Sequence, residues 1–333
     1  MSVSLSPPPS ISIVIPTLNA ERFLEDCLQS IATQNYPKNL VEVTIVDGGS
    51  TDSTLDIARK FQARIVPNPQ RGAEIGKLVG FRQSHSELFM YLDADITLPR
   101  GDWLSLMIAP LVRDPELVGT FTRFTVNRHH PALNRYLSYH ELMLDPILRI
   151  LCTPIKNTIS SKEAGYDVCI FTSDTMVAAG LILYRRKKVS LVISPSEDYW
   201  WDIDIPVRLS KIGQRKFGYV ENAGLFHLTV ENMRQLIAKK RWMIKYSFLS
   251  HQGAREFSYL PRSKRSVLAL IGWVVSVNFV LPIAIQSIVQ VARNRDVACF
   301  YHVPVSFILT DSYIFWFLTN TKGRDFFRRL IPQ

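Results

Sequence analysis

The 333-residue chain has few cysteines, and their spacing connects none of them. Cys27, Cys152, Cys169 and Cys299 form no Cys-x-x-Cys pair and no disulfide framework. We therefore expect the body of the chain to work in a reducing, cytosolic environment. Residues 1–10 contain three consecutive prolines, no basic residue and no apolar core, so they are not expected to act as a signal peptide.

The sequence also lacks internal repeats, and no Gly-x-Gly-x-x-Gly motif follows its first apolar run, which argues against a dinucleotide-binding dehydrogenase. Its net charge of +10 is unevenly placed: residues from Arg234 onward hold 15 Lys and Arg against 4 Asp and Glu. The preceding part is nearly neutral, with 24 basic against 25 acidic residues, which disfavours a nucleic-acid partner. A basic tail beside apolar runs predicts attraction to an anionic membrane surface, and a solvated tail is the alternative.

Hydrophobic periodicity predicts an α/β fold with a mostly parallel sheet and helices on both of its faces. Short β-branched or apolar runs predict strands at Ile11–Ile15, Val41–Val46, Arg64–Val66 and Leu88–Leu92. Helical spacing predicts helices from an Asn19 cap through Gln34, over Thr51–Phe61 and over Gly72–Ser84. Ligands bind at the carboxyl ends of parallel strands. We therefore expect one crevice to be lined by the three polar clusters that directly follow a strand: Pro16–Thr17, Asp47–Gly49 and Asp93–Asp95.

The remainder of the chain is less regular. Residues 113–191 combine a predicted strand at Gly119–Phe124 with a predicted helix at Leu133–Leu151. A helix over Tyr199–Ile212 and a strand over Phe217–Val220 follow. Near the end, Ser266–Ala292 contains no charged residue and is long enough to cross a bilayer core of roughly 30 Å.

A second apolar run, Val297–Asn320, is interrupted by Asp311, whose charge is costly in lipid. The flanking residues are basic, which predicts a membrane hairpin with both ends in the cytosol. Arg293 and Arg295, in the turn between the runs, fit this topology less well. A single span, helices lying in the interface, and a soluble buried bundle are the alternatives.

Asp93 and Asp95 are the central chemical signal, because they directly follow a buried strand. Two carboxylates so placed can hold Mg²⁺ or Mn²⁺ against a diphosphate, and the alternative is an ordinary polar turn. His227 follows another predicted strand and turn. It is a candidate third metal ligand or, alternatively, a structural histidine.

The segment Asp47–Asp52 follows the second strand, where Gly48 and Gly49 allow a ligand to approach the backbone. Asp47 could accept hydrogen bonds from a base or ribose, with Ser50 or Thr51 capping the next helix. The alternative is a turn and a cap without a ligand.

Glu197 and Asp198 precede a predicted helix, where a carboxylate can deprotonate an acceptor hydroxyl. A single base with in-line attack would invert the anomeric carbon. Asp202 and Asp204 compete for this role, and acids that only favour a helix N-terminus are the alternative. The basic, aromatic segment Arg234–Tyr246 could contact phosphates, lie on a membrane, or be a solvated helix.

In this order, the motifs resemble those of the family 2 inverting glycosyltransferases with a GT-A fold, over roughly Ile11–Trp242. The matching segments are Ile11–Glu21, Asp47–Asp52, Gly76–Gly80, Tyr91–Asp95, Gly180–Tyr184, Ser196–Asp198, His227 and Lys240–Trp242. Lys77 stands where the family usually has arginine, and Lys240–Trp242 lacks the glutamine of the family's Gln-x-x-Arg-Trp motif. The second departure puts processive polymer synthesis in doubt.

The resemblance implies roles for individual residues. It implies donor contacts from Pro16, Thr17, Asn19, Glu21, Asp47, Gly49, Lys77, Asp93 and Ala94. It implies Asp198 as the base beside Glu197, acceptor-side positions at Gly180, Arg241 and Trp242, and metal ligands at Asp95, Asp93 and His227.

The predicted activity is metal-assisted sugar transfer from a nucleotide-sugar donor, with UDP favoured, to a hydroxyl on a lipid or envelope glycan at the cytosolic membrane face. The predicted regions are a catalytic domain at 1–230, basic juxtamembrane helices at 231–265 and a membrane hairpin with a basic tail at 266–333. Transfer to a polyprenyl phosphate and a catalytically silent nucleotide-binding module are the alternatives.

Overall fold

The computed structural model describes residues 7–143, 146–173, 181–245, 255–257 and 264–330. The chain divides into two compact units. The first comprises Met1–Arg123, Thr158–Thr175 and Ala179–His227, and is here called the catalytic unit because it holds most of the region that the sequence predicts to carry catalysis. The second, here the helical unit, comprises Phe124–Asn157, Met176–Ala178 and Leu228–Gln333, so it includes a segment that the sequence placed in the catalytic region.

Eleven strands are found among the described residues, all of them in the catalytic unit. They are β1 (Ile11–Thr17), β2 (Val41–Asp47), β3 (Arg64–Pro67), β4 (Leu88–Tyr91), β5 (Ile96–Thr97), β6 (Gly119–Phe121), β7 (Ile159–Glu163), β8 (Tyr166–Ile170), β9 (Ile182–Arg185), β10 (Lys216–Tyr219) and β11 (Phe226–His227). Nine form one sheet in the order β3-β2-β1-β4-β9-β6-β10-β8-β7, while β5 pairs with β11. The strands β3, β2, β1 and β4 pair with one another in parallel, which confirms the predicted α/β class.

The helices alternate with the first strands and then continue into the helical unit. They are α1 (Glu21–Ala32), α2 (Thr54–Lys60), α3 (Ala73–Gln83), α4 (Trp103–Arg113), α5 (Ala132–Ser138), α6 (Pro146–Leu151), α7 (Arg186–Val189), α8 (Asp204–Lys211), α9 (Met233–Trp242), α10 (Lys264–Asn278), α11 (Leu281–Asn294), α12 (His302–Thr319) and α13 (Thr321–Leu330). The apolar face predicted for α1 is buried at Leu24, Cys27, Leu28 and Ile31.

Glycines allow α3 to pack closely against β1. A Cβ added at Gly80 would lie 2.2 Å from Cγ1 of Val14, and one at Gly76 would lie 2.9 Å from Cβ of Pro16. Both distances are shorter than van der Waals contact, so the two glycines set the spacing between helix and sheet. This spacing in turn holds α3 beside the carboxyl end of β1.

The Gly80→Ala variant is expected to lose about 1–3 kcal/mol of unfolding free energy, because its Cβ would overpack the buried contact with Val14. Urea denaturation of the variant and the parent would measure the loss. Gly101→Ala is the matched control, because a Cβ there meets nothing closer than 3.6 Å. Equal midpoints for Gly80→Ala and the parent would contradict the close packing described here.

Two predicted helix caps are wrong. Helices α1 and α2 begin after Ala20 and Ser53, and neither position makes a side-chain capping bond. The Asn19 carboxamide instead accepts a bond from the Thr51 amide at 2.8 Å. Ser50 donates to Asp47. Asn19 therefore joins two loops, and the first amides of the two helices, those of Glu21 and Thr54, donate instead to the carboxylate of Asp52.

The middle of the chain differs more from the prediction. The strand expected at Gly119–Phe124 ends at Phe121, and the helix expected at Leu133–Leu151 is divided into α5, a 3-10 turn and α6. The hairpin β7–β8, turning at Gly165 with φ of 93°, was not predicted. Helix α8 begins at Asp204, later than expected, so Glu197 and Asp198 lie on a loop.

The helical unit has its own apolar core. Its buried members come from α5, the segment before α9, α9 itself and the region of α12: Leu133, Tyr136, Leu137, Val230, Leu236, Ala298, Val305 and Leu309. A buried acid also joins distant segments here, because Arg135 donates to both carboxylate oxygens of Asp296 at 2.9 and 3.0 Å.

The uninterrupted helix expected over Ser266–Ala292 is not found. Helices α10 and α11 meet at an 89° bend. Val280 adopts φ of 59° at the break, and Pro282 opens α11, where its ring cannot continue the preceding helix. Val297–Thr319 is the one described helix long and apolar enough to cross a membrane by itself, and the bent pair would make a second only if it counts as one span.

Candidate functional site

Sheet register brings the polar ends of β1 and β2 together. Thr17 pairs with Asp47 at the last position of the two parallel strands. The Thr17 hydroxyl donates to Oδ1 of Asp47 at 3.0 Å, and both residues are buried. Strand β4 lies on the other side of β1, so Asp93 and Asp95 follow the neighbouring strand at the same edge of the sheet.

The Asp47 carboxylate organises the loop that follows β2. The amides of Gly49 and Ser50 each donate to Oδ2 at 2.9 Å, and the Ser50 hydroxyl donates to Oδ1 at 2.5 Å. Burial alone would raise the pKa of Asp47, but the bonds from Ser50, Gly49 and Thr17 lower it below its ordinary value. The anionic carboxylate therefore fixes a loop whose Gly49 backbone, at φ of 89°, is exposed.

The loops after β1 and β2 are tied together at several points. Besides the bond from Asn19 to Thr51, the Asn19 amide donates to the Ser50 hydroxyl at 2.9 Å. The Glu21 amide donates to Oδ2 of Asp52 at 3.1 Å. The donor-side residues predicted from separate motifs thus form one connected surface.

The structure places His227 beside Asp93 and Asp95, although the histidine is distant from them in sequence. Strand β5 pairs with β11, which places His227 opposite Ile96. Nε2 of His227 lies 3.2 Å from Oδ1 of Asp95. One donor atom from each of the three residues lies within 4.8 Å of the others.

This donor set suits a hard divalent cation. Carboxylate oxygens are the usual ligands of Mg²⁺ and Mn²⁺, and Mn²⁺ also accepts imidazole nitrogen. The surroundings carry negative charge. Burial raises the pKa of the Cys27 thiol well above its usual range, and the charges of Asp95 and Asp93 raise it further. The three side chains, all half-buried, therefore fit the divalent metal that the sequence predicted.

Lys77 of α3 is only 4% exposed. Its Nζ donates to the two carboxylate oxygens of Asp202 at 3.2 and 2.9 Å and lies 4.3 Å from the centre of the Tyr91 ring. Burial alone would lower the pKa of Lys77, but the charges of Asp202, Asp93 and Glu74 raise it above its ordinary value. Lys77 is therefore a buried cation that links α3 to the loop before α8.

Two arginines hold the loop that carries Glu197 and Asp198. Arg208 of α8 bonds both oxygens of the Glu197 carboxylate, at 2.6 and 3.3 Å. Arg82 of α3 donates to the carbonyl oxygens of Pro195 and Glu197, at 3.0 and 2.5 Å. Asp198 is exposed and has no hydrogen-bond partner within the part of the chain that the structure describes. Sequence reasoning missed both arginines because no motif marks them.

The remaining predicted positions are more scattered. Pro16 contacts α3 at Gly76, and Ala94 is half-buried between the two aspartates. Arg241 and Trp242 are exposed at the end of α9, in the helical unit. Gly180 lies outside the described residues.

The sequence did not predict that Arg71 would lie beside the loop that follows β2. A Cβ at Gly49 would lie 3.8 Å from the guanidinium of Arg71, which stands just before α3. Its only signal in the sequence is its place ahead of a helix N-terminus.

The chain matches a family model described as glycosyl transferase family 2 over residues 12–189. It is 28% identical over 176 residues to glycosyltransferase AglE of Haloferax volcanii, a match that covers 51% of this chain and 54% of that protein. It is 32% identical over 120 residues to a Methanococcus voltae dolichyl N-acetyl-alpha-D-glucosaminyl phosphate 3-beta-D-2,3-diacetamido-2,3-dideoxy-beta-D-glucuronosyltransferase, covering 33% of this chain and 37% of that one. The matches thus span about half or less of these relatives.

The structure is similar to that of the mannosyltransferase PcManGT from Pyrobaculum calidifontis, solved in complex with GDP-Man and Mn²⁺. The TM-score is 0.56 at 16% sequence identity, and the match covers 92% of this chain and 86% of that one. At this identity, the likeness demonstrates a shared GT-A fold.

Proposed function

The chain belongs to glycosyl transferase family 2, and we propose that it moves a sugar from a nucleotide-sugar donor to a hydroxyl group of a lipid-linked or envelope-glycan acceptor. The observation that carries this proposal is the cluster of Asp93, Asp95 and His227 beside the loop fixed by Asp47. A cation site next to a backbone-lined loop suits a diphosphate joined to a nucleoside. The proposal also draws on the resemblance to a mannosyltransferase solved with a nucleotide sugar.

We assign the donor to the surface formed by the loops after β1 and β2. The Thr17–Asp47 contact and the Asn19–Thr51 bond hold this surface in place, and the Gly49 backbone allows close approach. We propose UDP as the nucleotide; the structural neighbour was solved with GDP-Man, and the donor screen below distinguishes the two. Lys77, paired with Asp202, keeps a buried cation within reach of the charge of Asp93.

Asp93, Asp95 and His227 would hold Mn²⁺ or Mg²⁺. Such an ion supplies Lewis-acid stabilisation of the charge that develops on the departing nucleoside diphosphate. His227 comes from β11, so its pairing with β5 is what places an imidazole beside the two carboxylates.

We propose Asp198 as the general base that takes the proton from the acceptor hydroxyl. Its neighbours are engaged elsewhere: Glu197 pairs with Arg208, and Asp202 pairs with Lys77. Asp198 is the exposed carboxylate of this loop, and the arginine contacts restrict how far the loop can move. In-line attack with this single base would invert the anomeric configuration.

The proposed location is the cytosolic face of a membrane. The support is the apolar C-terminal region with its basic flanks, together with a relative named for a dolichyl-linked acceptor. In this proposal residues 1–230 carry catalysis, 231–265 lie at the membrane, and 266–333 anchor the chain. Gly180, Arg241 and Trp242 are the proposed acceptor-side positions.

Donor hydrolysis by the purified full chain in detergent tests the proposal. UDP-, GDP- and dTDP-sugars would each be offered with Mn²⁺, Mg²⁺ or EDTA. We expect slow, metal-dependent release of one nucleoside diphosphate, which would identify the donor. No release with any donor, combined with no metal-dependent nucleotide binding, would instead indicate a silent binding module.

A further inference from the structure

Helices α10 and α11 leave an apolar stripe exposed on the surface of the helical unit. The large apolar side chains that remain exposed recur at helical spacing on each helix: Leu268, Ile271 and Val275 on α10, and Leu281, Ile285 and Ile288 on α11. Val277 and Ile283, on other faces, are buried against the protein. Two helices therefore bury one side and present the other outward, as surfaces that meet lipid or a partner do.

Neither helix is long enough to cross a membrane. At 1.5 Å per residue, the 15 residues of α10 span about 22 Å and the 14 residues of α11 about 21 Å. A bilayer core is about 30 Å thick. The 89° bend means that the lengths do not add, and that a pair with both of its ends at one surface tilts each helix about 45° from the membrane normal. Each helix then descends about 15 Å, so the pair reaches about one leaflet deep.

Exposed cations stand at both ends of the bent pair. Lys264 and Arg265 begin α10, and Arg293 and Arg295 end α11. A crossing helix would carry the second pair of cations to the far side, against the tendency of basic residues to stay in the cytosol. A segment that dips and returns keeps all four beside anionic headgroups on one surface.

The following helix, α12, is buried on one side in the helical unit, while Phe307, Phe315 and Leu318 remain exposed. Its Val305 and Leu309 are buried in the core of the helical unit. Asp311, within the apolar run, is half-buried, and a carboxylate at mid-bilayer depth is costly. The bent pair, by contrast, has no charged residue in 266–292, which makes it the better candidate for contact with lipid.

We propose that α10 and α11 enter only the near leaflet of an anionic membrane and return the chain, at Arg293 and Arg295, to the side on which the catalytic unit lies. This inference rests on the proposed membrane association. It also removes the conflict between these two arginines and a hairpin that crosses the membrane.

Cysteine labelling tests this topology without reference to sugar transfer. The four native cysteines are buried, so the parent chain supplies a low background. Arg295→Cys reports the turn, and Lys187→Cys, an exposed position in the catalytic unit, is the reference. A membrane-impermeant maleimide would be applied to intact cells and to inverted membrane vesicles carrying the full chain.

We expect the two variants to react from the same side, in inverted vesicles and not in intact cells. Reaction of Arg295→Cys from the side opposite to Lys187→Cys would overturn the proposal. So would a turn that reacts from neither side until detergent is added, because a headgroup-level turn must be reachable.

A second measurement tests whether the stripe meets lipid. Co-flotation with vesicles of phosphatidylcholine and phosphatidylglycerol is expected to fall about tenfold or more when Ile285 and Ile288 are both changed to Glu. Ile212→Glu is the matched control, because Ile212 is similarly exposed but stands in the catalytic unit. Unchanged flotation of the double variant would overturn the proposal. Neither assay reads catalysis, so failure here is distinct from failure of the proposed transfer.

Discussion

Replacing Asp95 by alanine is expected to reduce metal-dependent turnover of the donor by about 10²- to 10³-fold, the effect of losing several kcal/mol of charge stabilisation. Asp95 is the carboxylate that lies 3.2 Å from His227, and its removal leaves one acid and one imidazole for the cation. Steady-state kcat at saturating donor, measured across a Mn²⁺ titration, would record the loss. We expect the concentration of Mn²⁺ needed for half-maximal rate to rise as well.

Asp26→Ala is the matched control for this variant. Asp26 is an exposed acid of α1 that, like Asp95, raises the pKa of Cys27 by its charge, yet it is outside the three-residue cluster. Its removal should leave turnover near the parent rate. Parent-like turnover in Asp95→Ala, insensitive to EDTA, would contradict the assignment of the metal site.

The Asp198→Asn variant is expected to lower kcat for transfer by about 10²- to 10⁴-fold, the usual contribution of a positioned general base. Asparagine keeps the size of the side chain but accepts no proton. Because Asp198 makes no hydrogen bond or ion pair with the loops after β1 and β2 among the described residues, the KM for the donor should change little. Initial rates with a hydroxyl acceptor, varied against donor concentration, would separate the two parameters.

Glu197→Gln is the comparison for this prediction, because Glu197 is adjacent but is bound by Arg208. It should lower kcat less than Asp198→Asn does, through weaker anchoring of the loop. Full activity of Asp198→Asn with a polyprenyl phosphate would favour the alternative acceptor, which is already anionic and needs no base. Full activity with a hydroxyl acceptor would assign the base elsewhere.

Local patterns predicted the first half of the sheet well. The strands at β1, β2 and β4 were identifiable because each is a short apolar run, and the helices between them repeat apolar residues at helical spacing. Parallel pairing then predicted that Thr17, Asp47 and the two aspartates would share an edge. The register of β1 and β2 and the Thr17–Asp47 bond confirm that Thr17 and Asp47 meet.

Predictions that needed a partner distant in sequence did worse. Asn19, Ser50 and Thr51 are residue types that often cap helices, but Asn19 bonds to Ser50 and Thr51 across two loops that only the folded sheet brings together. The Lys77–Asp202 pair could not be predicted for the same reason, since no local pattern links the two residues.

The break near Val280 illustrates a different limit. Hydropathy counts apolar residues along Ser266–Ala292 but does not record the direction of the chain, and Pro282 was the one local sign of a turn. An apolar run can therefore be long enough to cross a membrane and still contain no straight helix of that length.

Because β5 pairs with β11 over only two residues, we expect the proposed metal site to be completed late in folding. Its acids arise early in the catalytic unit, whereas His227 is the final residue of that unit, so a large loop must close before the imidazole arrives. Contacts of such long sequence separation form slowly and at an entropic cost. A growing or truncated chain would carry the aspartates without their third partner, which ties cation affinity to completion of the whole unit.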